Sequence, residues 1–177
     1  TEFILCNEKD ILWKKSFKAG AALMLEKFHP SDPLSVSELK SINKWHQEIF
    51  QPLLEAVKNY PPNRLIGSSG SFDTFAEMIL YQMDGNINKL RNRTDYHFRM
   101  SDYRSVHKQL LFSTTAERKK MKGLIMMRVD MIVMSSLQLN FIVRNLKLKK
   151  MILSRYALKE GILSELSAKI KLTKSKI

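Results

Sequence analysis

The residues with the clearest chemical potential are Gly67-Ser68-Ser69-Gly70-Ser71, which follow the short β-like run Arg64-Leu65-Ile66. Glycine lets a backbone come close to an anion, and serine hydroxyls add donors. From Phe72 to Met83 apolar residues return at helical spacing. Strand, small-residue turn and helix, in that order, aim backbone N–H groups and the positive end of a helix dipole at one place. The chemistry implied is phosphate binding by Gly67, Ser68, Ser69, Gly70 and Ser71. A ligand-free β-to-α connection has the same composition, so the turn by itself does not decide.

Other reactive patterns are missing. His29, His46, His97 and His107 share no metal-ligand spacing with one another or with Cys6. The sequence holds no Walker loop, no nucleophile elbow and no CxxC pair. His46 falls on an apolar helix stripe and reads as a packed side chain. The methionines between 121 and 134 read as core filling. Basic clusters do stand out: Lys89-Leu90-Arg91-Asn92-Arg93, Arg118-Lys119-Lys120, Lys147 with Lys149-Lys150, and the tail 169–176. With 30 Lys and Arg against 17 Asp and Glu, the net charge of +13 favours a polyanionic partner. No aromatic residues interleave with these clusters in an RNA- or single-strand-binding pattern, which argues against nucleic acid.

The elements that must position the turn are legible. Residues 2–6 and 11–17, joined by Asn7-Glu8-Lys9-Asp10, predict a hairpin. A short helix is expected over 21–28, ended by Pro30 and Pro33. Ser35-Val36-Ser37-Glu38 is a capping-box pattern. Behind it Leu39, Ile42, His46, Ile49, Leu53, Ala56 and Tyr60 predict one long amphipathic helix, kinked at Pro52. Further strands are expected near 96–100 and 150–154. Helices are expected from a Ser101 cap to about Phe112, from the Thr114–Glu117 capping box, over 123–146, and over about 157–172.

Short strands among longer helices predict an α/β fold with a mixed sheet flanked by helices. At 177 residues and 44% apolar content the chain is expected to form a single domain over 1–177. Arg128, Asp130, Gln138, Asn140 and Arg144 make 123–146 too polar for a lipid span, so a buried core helix is expected there. One cysteine, Cys6, excludes an intrachain disulfide and suits a cytoplasmic setting. The opening residues form no signal peptide. The chain starts on Thr1 inside a strand-like run without an initiator Met, so a segment is expected to precede it.

Four segments in order resemble the exopolyphosphatase and guanosine pentaphosphate phosphatase (Ppx/GppA) family. Thr1-Glu2-Phe3 is similar to the end of that family's Asp-x-Gly-Gly-Gly-Ser-Thr-Glu loop, and Lys18-Ala19-Gly20-Ala21 to its Leu-Gly-Ala stretch. Ile66-Gly67-Ser68-Ser69-Gly70-Ser71 resembles its Gly-x-Ser-Gly-Thr turn. The longest likeness joins Glu117-Arg118, Met121-Lys122-Gly123-Leu124, Arg128-Val129-Asp130-Met131-Ile132 and Ser154-Arg155-Tyr156-Ala157-Leu158-Lys159-Glu160-Gly161. Leu23, Ser71, Ala157 and Lys159 depart from the family pattern, where Arg, Thr, Gly and Arg are usual. Such changes mark a divergent branch in which activity is open.

The resemblance implies a ribonuclease H-like lobe of the actin-like ATPase superfamily, the second lobe of a two-lobed phosphatase whose upstream lobe lies outside this chain. It implies inorganic polyphosphate or guanosine pentaphosphate as substrate, magnesium as cofactor, and self-association as a homodimer. Glu2 would hold the metal or orient water. Thr1 would join Gly67 to Ser71 in binding phosphate. Arg128 and Asp130 are read as a structural ion pair or helix-start contacts. The chain alone is expected to be inactive. Three other readings stay open: a catalytically silent lobe binding polyphosphate or guanosine penta- or tetraphosphate, a sugar-kinase or ATPase relative, and a nucleic-acid-binding module.

Overall fold

A computed structural model describes the chain except residues 69, 86–89, 91–92 and 175–177. The chain opens with the expected hairpin. β1 (Glu2–Cys6) runs antiparallel to β2 (Ile11–Ser16), with Glu2 opposite Ser16. Asn7 Oδ1 accepts the N–H groups of Lys9 and Asp10, which turns the chain between the strands. Phe3 and Phe17 pack edge-on against Phe50, tying the hairpin to the helices behind it.

After α1 (Ala21–Phe28), α2 (Val36–Ile49) begins at the predicted capping box. Glu38 Oε2 accepts the Ser35 N–H at 2.7 Å while Ser35 Oγ accepts the Glu38 N–H. Hydrogen bonds from the Ser31 and Ser35 hydroxyls, then from their N–H groups, hold the Glu38 carboxyl down at about 2. The expected kinked helix is in fact two. α2 stops at Phe50, and α3 (Gln51–Asn59) starts afresh with Pro52 in its first turn. A proline lacks the N–H that a continuing helix needs but is tolerated where the first turn leaves that donor unpaired.

The central sheet has the order β3-β5-β4. β3 (Leu65–Ser68) is parallel to β5 (Met151–Ser154), and β4 (Asp95–Phe98) is antiparallel to it, so the sheet is mixed. Leu65, Met151 and Phe98 share one row of one face, and Met151, Leu153 and Phe98 are buried there. α4 (Ser71–Asp84), α5 (Met100–Leu111) and α7 (Ile132–Asn145) build the main core with them. α5 begins one residue before Ser101, whose hydroxyl donates to Asp102 instead of capping. The Thr114–Glu117 capping box forms as expected and starts the short α6 (Thr115–Arg118). α8 (Leu158–Lys174) closes the chain.

The helix expected over 123–146 begins only at Ile132. Gly123 stands at φ +83°, outside helical space, and a 3₁₀ turn occupies Met126–Arg128. The cause is packing. A Cβ at Gly123 would lie 2.6 Å from the Met78 nitrogen, so this glycine lets the chain press directly on the α4 backbone. From Ile132 onward the helix is the buried core element expected, with Leu137, Phe141 and Ile142 among its buried side chains. No helix among the described residues is long and apolar enough to cross a membrane.

Candidate functional site

Parallel pairing brings the carboxyl ends of β3 and β5 to one edge, with Ser68 directly opposite Ser154. Open α/β sheets bind ligands at such edges. Here the Gly67–Ser71 turn leaves β3 and enters α4. Gly70 takes φ 60° and ψ −123°, and no side chain caps the helix start. Among the described residues no side-chain acceptor meets the first-turn N–H groups, and Asp73 is the acidic residue of that turn.

Arg128 completes this corner. Its Nη1 lies 3.5 Å from where a Cβ on Gly70 would stand. Arg155, just past β5, is held by its N–H on the Thr94 carbonyl at 2.9 Å and by its guanidinium on the Leu90 carbonyl. Glu77 of α4 is half-buried and near enough to both cations for their charges to act on its carboxyl. Burial and then the neighbouring Asp73 charge raise its carboxyl above the ordinary range, against the pull of Arg128 and Arg155. The arrangement places a helix N-terminus and a guanidinium side by side, which is chemistry for an oxyanion.

The expected phosphate ligands have distinct surroundings. Gly67 is buried under the Phe72 ring, which a Cβ would approach to 2.1 Å, so its small size serves packing. Ser68 Oγ donates to the Tyr156 carbonyl at 2.9 Å, and Ser154 Oγ donates to the same oxygen at 3.1 Å. Ser69 lies outside the described residues. Gly70 and Ser71 are half-exposed at the start of α4.

Thr1 is anchored at the hairpin and α7. Its amino group donates to the Phe17 carbonyl, its hydroxyl donates to the Ala19 carbonyl, and Gln138 of α7 donates to that hydroxyl at 3.0 Å. Glu2 is exposed on β1. Among the described residues no hydrogen bond joins either one to the turn. Nor do three His, Cys, Asp or Glu side chains converge on a metal position among them. Glu2 offers one exposed carboxylate, and magnesium is usually held by one or two carboxylates together with waters and substrate phosphates, so Glu2 is the residue that would hold it.

Arg128 and Asp130 do not act as a pair. Arg128 turns to Gly70, whereas Asp130 is exposed and lines a pocket with Asp32 and Arg118. Of the two expected readings, an ion pair with Asp130 or a contact at a helix start, Arg128 takes the second, beside the Gly70 N-cap of α4. The signal available was its place in the strongest block of family likeness.

The Ppx/GppA phosphatase family model matches residues 1–169. The chain belongs to the Ppx/GppA family. No curated protein matches it. Among solved structures it is similar to an exopolyphosphatase from Cytophaga hutchinsonii, with 34% identity and a TM-score of 0.87 over 93% of this chain and 53% of that one. It is also similar to the Aquifex aeolicus Ppx/GppA family member, at 17% identity and TM-score 0.78, over 95% of this chain and 53% of that one. The second likeness carries the fold alone; with the first it supports an α/β, actin-like ATPase-type domain with a mixed sheet. The chain spans about half the length of these Ppx/GppA relatives.

Proposed function

We propose that this chain is the second lobe of a phosphoanhydride hydrolase and forms one wall of a cleft that takes the terminal phosphate of inorganic polyphosphate. The observation that carries this reading is the Arg128 guanidinium beside Gly70 at the uncapped start of α4. The exopolyphosphatase relative favours polyphosphate over guanosine pentaphosphate. The basic surface of the chain, at net charge +13, favours a long polyanion as well.

In this mechanism the first-turn N–H groups of α4, with Gly70 and Ser71 shaping the approach, bind two of the terminal oxygens. Arg128 lies against the charge that builds on the transferred group as water attacks the terminal phosphorus in line. The bond to the bridging oxygen breaks, a polyphosphate one unit shorter leaves with that oxygen, and the proton of water passes to solvent with release of orthophosphate. Gly67 and Ser68 hold the turn in place from behind, through Phe72 and Tyr156. Thr1 and Glu2 belong to a second patch of the wall, at the hairpin and α7.

Phosphate release from polyphosphate by the full-length protein tests the reading. Arg128→Ala is expected to lower the rate by about 10²- to 10³-fold, the usual cost of losing one transition-state donor. Arg128→Lys should recover part of it, since it keeps the charge without the planar fork. An unchanged rate in Arg128→Ala, with the wild type active, removes Arg128 from the site. Tight polyphosphate binding with no turnover in the wild type replaces this reading with that of a silent binding lobe.

A further inference from the structure

The far end of α4 opens on a pocket that the phosphate corner does not use. Tyr81 and Gln82 of α4, Gln109 and Phe112 at the end of α5, and Lys120 and Lys122 beyond α6 line a cavity of about 570 Å³. Along a helix that rises 1.5 Å per residue, Tyr81 stands roughly 16 Å from Gly70. The pocket and the Gly70–Arg128 corner are therefore separate places.

Three kinds of group meet there. Phe112 is a flat apolar ring left 66% exposed. Gln82 Nε2 donates to Gln109 Oε1 at 2.5 Å, bridging α4 and α5. Among the described residues the Gln82 carbonyl and the Gln109 amino group have no further partner, so this pair presents an acceptor and donors side by side. Lys120 and Lys122 are both exposed, and neither forms an ion pair among the described residues. Glu117, the acid of the pocket, is turned to the N–H and hydroxyl of Thr114.

Each kind of group asks for a different part of one ligand. An exposed ring stacks on a planar heterocycle, and an amide donor–acceptor pair reads the polar edge of such a ring. Two ammonium groups suit a phosphate monoester, which carries about −2. Inorganic polyphosphate would engage the lysines alone and leave the ring and the amides without a partner. We propose that this pocket is a second binding site, for a nucleoside monophosphate. The base stacks on Phe112 with its edge on Gln82 and Gln109, and the phosphate lies against Lys120 and Lys122. The site stands whether or not the corner at Gly70 releases phosphate.

Calorimetry of the full-length protein with AMP, GMP, CMP and UMP tests it. At least one of the four should bind with a Kd of about 100 μM or tighter. The same nucleoside without its phosphate, and inorganic phosphate alone, should each bind at least about tenfold more weakly. Phe112→Ala should weaken binding about tenfold, with Phe112→Tyr close to wild type. Lys120→Ala with Lys122→Ala should weaken it about tenfold or more. These side chains are exposed, so unfolding midpoints in urea should stay near wild type and show that the variants fold. No binding by any of the four nucleotides, inorganic phosphate binding as tightly, or no response to either set of substitutions would each overturn the site. So would binding lost in Arg128→Ala but kept in the double lysine variant, since the nucleotide would then occupy the start of α4. Phosphate release from polyphosphate, assayed on the same samples, separates the two claims. Nucleotide binding without turnover leaves the pocket and removes the phosphatase; turnover without nucleotide binding does the reverse.

Discussion

Arg128 reaches Gly70: its Nη1 stands 3.5 Å from the position where a side chain on that glycine would begin. That spacing is an ordinary contact, so adding a methyl group to Gly70 does not displace the guanidinium. The cost of Gly70→Ala is instead that of holding a side chain at φ +60° and ψ −123°, outside even the left-handed helical well, about 1–3 kcal/mol. Combining it with Arg128→Ala should give an additive loss, within about 0.5 kcal/mol, in urea unfolding. A strong coupling between the two would mean that the guanidinium braces the turn rather than facing a ligand.

Gly123 and Gly67 should respond differently to alanine. At Gly123 the new methyl would meet the backbone of Glu77 and Met78 at 2.6–2.8 Å, at a φ of +83°. Helix backbone cannot swing aside, so a loss of about 3 kcal/mol or more is expected. At Gly67 the obstacle is the Phe72 ring, which can rotate away. Gly67→Ala should therefore cost less. In combination with Phe72→Ala the two losses should sum to less than their separate values, as a double-mutant cycle would read.

Acid should weaken the fold through His46. Its ring is fully buried among Phe50, Phe141 and Trp45, and neither nitrogen has a partner. Burial lowers its value from 6.5 to about 4. Since the folded form resists protonation, the unfolded chain binds more protons between these values. Stability is then complete above about pH 6.5 and declines as pH falls toward 4, by about 3 kcal/mol at most. His46→Phe should flatten most of that decline in a series of unfolding midpoints against pH. Burial, with Arg144 second, also lowers His107, so a shallower slope of the same sign should remain.

Arg118 is a buried cross-brace. Its guanidinium donates to the Val129 and Ser113 carbonyls, to Thr115 Oγ1 and to Asp32 at 2.8 Å. Arg118→Ala would strand two carbonyls and release Asp32, so a loss of about 3–5 kcal/mol is expected on denaturant unfolding. Burial alone would raise the Asp32 value, yet hydrogen bonds from Thr115 and Arg118 and the Arg118 charge leave it lowered. Its contribution is thus present above the ordinary carboxylate range and is lost as acid protonates it. Arg118→Lys should rescue little, because one ammonium cannot reach four acceptors.

Several elements could be read directly because a few neighbouring residues decide them. The Ser35–Glu38 and Thr114–Glu117 boxes, the Asn7 turn and the strand–turn–helix at Gly67–Ser71 are settled by hydroxyls, carboxylates and φ preferences within four or five positions. The apolar rhythm of α2 and α3 was visible too, and only the break before Pro52 was read as a kink. The family likeness, spread in order over most of the chain, was legible for the same reason: it is carried by short local motifs.

What the tertiary structure decided lies between segments distant in the chain. Local periodicity carried the expected helix back to Gly123, but contact with α4 holds that glycine in left-handed space and delays α7 to Ile132. The small residues of the turn announced a phosphate cradle; only the packed chain shows that Phe72 covers Gly67 and that the Ser68 hydroxyl donates to the Tyr156 carbonyl. Arg128 was in plain view without any local sign of its target. Which groups share a corner depends on how strands pair and helices pack, and that is a property of the whole chain rather than of any window along it.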